Sequence, residues 1–299
     1  MAEELIIETA EVRKSYGSVQ ALAGLDLRVP RGAICGLLGR NGAGKTTTIK
    51  VLLGIARPTS GVARVFGLAA DDERASVEIR GRTAFVSEDK DLYAGMTVKE
   101  LIRFTAPFYP KWRADLASGY LVQLDLRAGA RINDLSRGTR TKLALLIALS
   151  TGAELLILDE PTSGLDPAAT QQVLKILVEQ AGRDGKTVLF SSHQLADVEQ
   201  IADHVAIVDR GRVVVDGALD EVRARYKRVQ LVFDGDAPDA AFKARGVVAT
   251  RKQGRVLSVL SGAGEEGIVA EARALKPKAV DVLPVTLKEV FLETVGVEN

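Results

Sequence analysis

One short segment of the sequence has the residue types and the spacing needed to bind phosphate. Residues 39–47 read Gly-Arg-Asn-Gly-Ala-Gly-Lys-Thr-Thr and match the pattern G-x-x-x-x-G-K-[ST] at every fixed position. In such a loop the glycines let backbone N–H groups approach an anion, the lysine reaches the β- and γ-phosphates, and the first hydroxyl ligates Mg²⁺. The residues predicted to bind a nucleoside triphosphate are Gly39, Asn41, Gly42, Ala43, Gly44, Lys45, Thr46 and Thr47.

The residues on either side of this loop have the pattern that such a site requires. Residues 33–38 form a short apolar run typical of a buried strand, and residues 46–53 are typical of the start of a helix. A strand that leads through a glycine loop into a helix directs several N–H groups and the positive end of the helix dipole at one anion.

A second candidate segment supplies carboxylates. Residues 155–160 read Leu-Leu-Ile-Leu-Asp-Glu, an apolar strand that ends in two acids. In phosphate-loop ATPases the acid at the end of such a strand holds Mg²⁺, which here is Asp159. Glu160 is then placed to polarise the attacking water as a general base.

Composition narrows the class of protein. The chain has 299 residues, 46% apolar and 26% charged, and its net charge of +1 gives no reason to expect nucleic-acid binding. The single cysteine, Cys35, lies in a predicted strand, which excludes an intrachain disulfide and fits a reducing cytoplasm. The acidic N-terminus lacks the basic region of a signal peptide, and the apolar runs are too short to span a bilayer. We expect another chain to supply any membrane part.

The order of predicted elements indicates an α/β protein with two domains. Strands alternate with helices through residues 1–217, which predicts a layered phosphate-loop core with an antiparallel β subdomain and a helical subdomain inserted at about 88–150. Residues 218–299 instead show alternating strands, a hairpin around Gly254 and a final helix. They predict a small α+β accessory domain.

Four further features, taken with the phosphate loop and Asp159–Glu160, resemble the motifs of ABC-type ATPases in order and spacing over residues 4–217. Residues 135–139, Leu-Ser-Arg-Gly-Thr, resemble the family's signature motif, and residues 163–166, Ser-Gly-Leu-Asp, resemble its D-loop. His193 follows a strand as the family's switch histidine does, and Tyr16 stands where an aromatic stacks on adenine. For Tyr16, a turn aromatic covering a strand edge is the alternative, and for His193 a helix-cap or core histidine.

This resemblance implies ATP as the nucleotide and a head-to-tail dimer with itself or with a paralogous ATPase. Each ATP would lie between the phosphate loop of one subunit and the signature helix of the other, with Ser136 and Gly138 at its γ-phosphate. Asp166 of the D-loop is also expected to bind the nucleotide, and His193 to form a hydrogen bond with the γ-phosphate. Residues 287–292 resemble the C-terminal end of ATPase subunits of bacterial ABC-2-type exporters. The resemblance therefore implies export through a separate transmembrane subunit at the cytoplasmic face of the cell membrane.

The sequence departs from the family pattern at two places. Arg137 and Thr139 replace the usual glycine and glutamine of the signature motif, and Glu88 stands where the family has a glutamine. Glu88 either ligates Mg²⁺ or orients water and so tunes hydrolysis, or it is merely exposed on a shifted loop.

The sequence leaves a second class of function open. A soluble ABC ATPase acting in cluster assembly, on ribosomes or on DNA would carry the same motifs. The chain has one set of motifs and no sustained heptad repeat, which argues against the translation-factor and DNA-repair types.

Overall fold

The computed structural model describes residues 4–295, and their contacts divide the chain into two compact units between Val213 and Val214. This division falls a few residues before the boundary at 217 drawn from the sequence. The first unit contains strands β1 (Leu5–Tyr16), β2 (Val19–Leu25), β3 (Arg28–Pro30), β4 (Ile34–Leu38), β5 (Ser60–Val65), β6 (Leu68–Ala69), β7 (Thr83–Val86), β8 (Leu155–Asp159), β9 (Thr187–Ser192) and β10 (His204–Asp209). Its helices are α1 (Lys45–Leu52), α2 (Glu73–Arg82), α3 (Val98–Thr105), α4 (Ala114–Gln123), α5 (Arg137–Ser150), α6 (Pro167–Asp184) and α7 (Leu195–Ile201).

Strand β11 (Arg212–Ala218) crosses the division, and the second unit continues with α8 (Leu219–Arg225), β12 (Lys227–Val232), β13 (Val247–Gln253), β14 (Val256–Ser261), α9 (Glu266–Ala274), β15 (Ala279–Pro284) and α10 (Leu287–Thr294). Two short 3₁₀ helices cover Ala106–Phe108 and Ile132–Asp134.

The central sheet of the first unit sets the position of the candidate site. Its strand order is β11-β10-β4-β9-β8-β7, and the five strands from β10 to β7 run parallel. Strands β4, β8 and β9 are buried along their whole length, which is why each reads as a continuous apolar run. Leu38 pairs with Ser192, and Asp159 pairs with Ser191. The phosphate loop, the two carboxylates and His193 therefore all follow strands that end at the same edge.

An antiparallel sheet packs over the phosphate-loop helix. Its order is β2-β1-β5-β6, with β3 also paired to β1. A shared apolar core joins this sheet to α1 and to the parallel sheet, and it includes Ile7, Val65, Ile49, Leu37 and Ile157. The predicted α/β fold with an antiparallel β subdomain is confirmed.

The inserted helices lie between β7 and β8. Helix α3 ends at Thr105, before a single 3₁₀ turn that contains Pro107. Thr97 begins α3 with a capping box to Glu100. Ser136 begins α5 by accepting a hydrogen bond from the Thr139 N–H.

Helix α2 and helix α8 were not predicted from the sequence. Helix α2 is strongly polar, and only Ser76 and Ile79 on it are buried, so it has almost no apolar period to detect. Helix α8 has seven residues, of which Leu219 and Val222 are buried, and is too short for a periodic pattern. Strand β1 is long and runs from Leu5 to Tyr16.

The second unit has its own core. Its sheet has the order β13-β14-β12-β15, antiparallel throughout, with the predicted hairpin between β13 and β14. The apolar side chains that alternate along β12 pack against β14 and helix α9 through Val229, Leu231, Val259, Ile268 and Ala272. Within residues 4–295, no helix is long and apolar enough to cross a bilayer.

Candidate active site

A cleft of about 400 Å³ opens at the carboxyl edge of the parallel sheet. It brings together most of the residues singled out from the sequence: Asn41, Gly42, Gly44, Lys45, Thr46, Thr47, Glu88, Asp159, Glu160 and His193. Ala21 and Arg40 complete the lining.

The phosphate loop is built around one conformation that only glycine adopts easily. Gly44 caps the N-terminus of α1 with φ of 112°, and a Cβ there would lie 2.8 Å from the Ala21 carbonyl oxygen. Lys45 follows at the first position of α1, and its ammonium donates a hydrogen bond to the Gly39 carbonyl at 2.8 Å. The lysine is buried, so the positive charge and the helix N-terminus lie together on the floor of the loop.

Asp159 is held by two hydroxyl groups. Its Oδ2 accepts a hydrogen bond from Thr46 Oγ1 at 2.9 Å, and its Oδ1 accepts one from Ser191 Oγ at 2.5 Å. The Thr46 bond joins the first turn of α1 to the end of β8. The carboxylate is almost completely buried and has a fixed direction into the cleft.

This pair of oxygens suits a magnesium ion. Mg²⁺ prefers hard oxygen ligands and in nucleotide sites is held by one or two protein groups together with phosphates. A hydroxyl and a carboxylate already in contact at the cleft, Thr46 and Asp159, fit that requirement. Among the residues described, no group of three or more His, Cys, Asp or Glu side chains could hold a metal by itself. The donor set therefore fits a metal shared with a phosphate ligand.

Glu160 has a strained backbone and a fixed side chain. Its φ is +50°, in the left-handed region that non-glycine residues rarely occupy. Its N–H donates to Ser191 Oγ at 2.9 Å, and its Oε2 lies 2.8 Å from His193 Nδ1. The glutamate is 6% exposed, whereas the imidazole side chain is 53% exposed. A buried carboxylate is thus directed at the cleft by a histidine that reaches in from the solvent side.

Lys90 forms hydrogen bonds with the main chain of the same two acids. It lies on the loop after β7, is 6% exposed, and its ammonium donates to the main-chain carbonyls of Asp159 at 3.1 Å and Glu160 at 2.9 Å. Burial lowers the pKa of Lys90, and the nearby charges of Asp159 and Glu88 oppose that lowering. Glu88, two residues earlier, is exposed and lines the cleft.

Other predicted site residues lie outside this cleft. Ser136 and Gly138 are at the start of α5, and Asp166 caps α6 by accepting a hydrogen bond from the Ala169 N–H, which lowers the pKa of the aspartate. Tyr16 is about half exposed at the end of β1, with the Lys14 ammonium 4.9 Å from its ring centroid. Gly39 and Ala43 belong to the phosphate loop but do not line the cleft.

Arg137, the departure in the signature segment, joins two neighbouring loops. Its guanidinium donates to Ser163 Oγ at 3.1 Å, and its aliphatic stem would be 3.1 Å from a Cβ at Gly164. Gly138 also packs closely against Gly164, because a Cβ on Gly138 would lie 2.8 Å from the Gly164 carbonyl oxygen. The start of α5 therefore packs directly against residues 163–164.

Two residues that hold Asp159 and Glu160 in place were missed in the sequence. Lys90 is one of four charged residues in a row, at 88–91, with nothing local to mark it as buried, and Ser191 lies near the end of an ordinary apolar strand. Ser191 could have been suspected, because a hydroxyl at the carboxyl end of a strand next to β8 must face Asp159.

Comparison with known proteins agrees with this geometry. Residues 22–163 match the family described as ABC transporter. The chain is 32% identical to the bacitracin transport ATP-binding protein BcrA of Bacillus licheniformis over 96% of this chain and 95% of the relative. It is 34% identical to the daunorubicin resistance ATP-binding protein DrrA3 of Streptomyces coeruleorubidus over 95% and 93%.

A solved structure of an ATP-binding subunit of an ABC transporter superposes with a TM-score of 0.67 at 31% identity, covering 73% of this chain and 92% of that one. The nucleotide cleft, the relatives matched along nearly their whole length and the shared fold agree with one another. The chain is an ATP-binding, ATP-hydrolysing protein that belongs to the ABC transporter family.

Proposed function

We propose that the chain hydrolyses ATP with Mg²⁺ to power export through a separate transmembrane subunit, at the cytoplasmic face of the membrane. One observation carries the catalytic part of this proposal: Glu160, Asp159 and Lys45 converge on one cleft. A general base, a metal ligand and a phosphate-binding cation in one place are the parts that phosphoryl transfer to water requires.

Each side chain then has a role that its contacts support. The loop N–H groups and Lys45 bind the β- and γ-phosphates, and the lysine exchanges its bond to the Gly39 carbonyl for the phosphate oxygens. Mg²⁺, bound by Thr46 and Asp159, would neutralise charge that develops between those phosphates. Glu160 accepts a proton from the attacking water, and His193 orients the glutamate through their 2.8 Å contact.

Glu88 supplies a further oxygen at the opening of the cleft. Its carboxylate lines the same space as Thr46 and Asp159, which supports a role as an additional Mg²⁺ or water ligand. Tyr16 lies at the end of β1 and does not line the cleft, and its stacking on adenine is implied by the family resemblance.

A second copy of the chain, or of a paralogous ATPase, would complete the site. Ser136 is exposed at the N-terminus of the 14-residue helix α5 and does not line its own cleft, although the family uses it against a γ-phosphate. A helix N-terminus stabilises an anion. A head-to-tail dimer therefore puts α5 of one protomer, with Ser136 and Gly138, over the ATP of its partner.

An exposed aromatic cluster supports docking to a membrane subunit. Tyr93 and Phe104 contact edge to face with centroids 5.2 Å apart, and Phe104 and Phe108 do so at 5.4 Å. All three rings are exposed on the helical insert, which is unusual for a surface without a partner. The names of the bacitracin and daunorubicin relatives favour export as the direction of transport.

The test is steady-state ATP hydrolysis by the purified chain and by Glu160→Gln, with Glu221→Gln as a control on exposed helix α8. Loss of the general base is expected to lower kcat by about 10²- to 10⁴-fold. Glu160→Gln should also form an ATP-dependent dimer on size-exclusion chromatography. Unchanged turnover in Glu160→Gln would contradict the assignment of the base and make Glu88 the next candidate.

A further inference from the structure

Lys90 is a buried cation that none of the recognised motifs includes. Its ammonium donates to two main-chain carbonyls on β8 and immediately after it, those of Asp159 and Glu160. The lysine itself has φ of +49°, so the loop turns sharply to bring the side chain inward. A buried ammonium needs such partners, and here the partners are the peptide groups that carry the two acids.

These bonds complete the support of a strained peptide. Glu160 has φ of +50°. Its N–H donates a hydrogen bond to Ser191, and its carbonyl accepts one from Lys90. A residue in this region of φ/ψ space persists only where its surroundings hold it. Lys90 and Ser191 therefore fix the direction in which the Glu160 side chain leaves the backbone.

Lys90 also faces a second cavity, of about 120 Å³, on the side of the helical insert. That cavity is lined by the loop after β7, by Tyr109 and by residues of α5, and it includes Lys90 itself. The single tryptophan of the chain, Trp112, lies beside it, with its ring centroid 6.4 Å from that of Tyr109. One side chain thus touches both the backbone of the acids and the cavity beneath the helical insert.

We propose that Lys90 is a positioning residue that holds Glu160 in its reactive orientation and links that orientation to the cavity under the helical insert. A shift of the loop that carries Lys90 moves both hydrogen bonds and so moves Glu160. This inference rests on the proposed role of Glu160 as general base and adds the group through which the helical insert acts on it.

The test compares Lys90→Met with Lys90→Arg and with Lys175→Met, a matched substitution on the exposed face of α6. Lys90→Met keeps the length of the side chain and removes the donor. We expect Lys90→Met to bind ATP within about twofold of the native affinity and its kcat to fall by about 10- to 100-fold. The fall follows because a Glu160 carboxylate misplaced by up to about 1 Å can cost that much in rate. Lys90→Arg should recover most of the loss, and Lys175→Met should behave as native.

A second readout follows Trp112 emission on addition of ATP. In the native chain and in Glu160→Gln the emission should change on ATP binding, because that change does not require hydrolysis. In Lys90→Met, with ATP still bound, the change should be absent. A circular dichroism spectrum and a melting curve close to those of Lys175→Met would exclude misfolding as the cause.

The outcomes separate this inference from the proposed function. Native turnover in Lys90→Met, or a native Trp112 response in it, overturns the role of Lys90. An absent Trp112 response in the native chain overturns the link to the cavity. Native turnover in Glu160→Gln instead overturns the assignment of the base, whatever Lys90→Met does.

Discussion

Ser191 gives the most quantitative test of how the acids are held. It has no solvent exposure, accepts the Glu160 N–H at 2.9 Å and donates to Asp159 Oδ1 at 2.5 Å. Ser191→Ala leaves a buried N–H unpaired, which costs about 1–3 kcal/mol, and removes a bond to a charged group, worth about 1.5–3 kcal/mol. Asp159 keeps its bond to Thr46, so the lower halves of these ranges apply. We expect the free energy of unfolding to fall by about 2.5–4 kcal/mol.

The control is a serine with equal burial and a different partner. Ser150 also has no exposure, but its hydroxyl donates to the Leu146 carbonyl one helical turn earlier, which a helix satisfies without it. Ser150→Ala should therefore cost about 1 kcal/mol or less.

Urea unfolding followed by Trp112 emission measures both variants, because the tryptophan lies in the first unit and reports on it. The comparison requires equal m values for the two variants, so that a shifted midpoint reports a change in stability. If Ser191→Ala is no less stable than Ser150→Ala, the two hydrogen bonds of Ser191 do not support the site, and the account of Glu160 given above is wrong.

Two further predictions concern ligand and pH. ATP with Mg²⁺ at about 100 times its Kd should stabilise the first unit by about 2.7 kcal/mol, which is measured as a raised Tm. Lys45→Ala, or omission of Mg²⁺, should reduce this rise in Tm. An equal rise in Lys45→Ala would contradict the role of the lysine in binding phosphate. Arg82 holds the pKa of Glu154 below its usual value of 4.5, so this pair contributes stability above pH 4.5 that is lost as pH falls through the lowered pKa. Both side chains are about one-third exposed, and screening limits the contribution to about 1 kcal/mol. Glu154→Gln should therefore be less stable than native at pH 7, and this deficit should shrink as the pH falls below 4.5 in urea titrations. A deficit that does not change with pH would contradict the assignment.

The sequence predicted best those site residues whose position follows from the end of a strand or the start of a helix. The phosphate loop and Asp159–Glu160 each follow a wholly buried strand, and parallel strands end at one edge, so their meeting in one cleft was predictable. The cap of α5 by Ser136 was predictable for the same reason, since a hydroxyl before an apolar helix satisfies its first N–H groups.

The sequence was least informative about side chains that cross between elements. Lys90 reaches the acids only because the loop after β7 folds under β8, and no local pattern records that path. The bond between Arg137 and Ser163 likewise joins residues 26 positions apart. Such contacts depend on packing of the complete chain, which periodicity along one element does not encode.

The left-handed backbone of Glu160 implies a conflict between thermal stability and catalytic activity. Glycine or asparagine occupies this region of φ/ψ space at lower cost than glutamate, so Glu160→Gly or Glu160→Asn relieves strain while removing the carboxylate from its place. Selection of variants for thermal resistance alone would therefore favour changes at Glu160, the proposed general base. Libraries designed to stabilise this protein against heat should therefore keep residue 160 fixed.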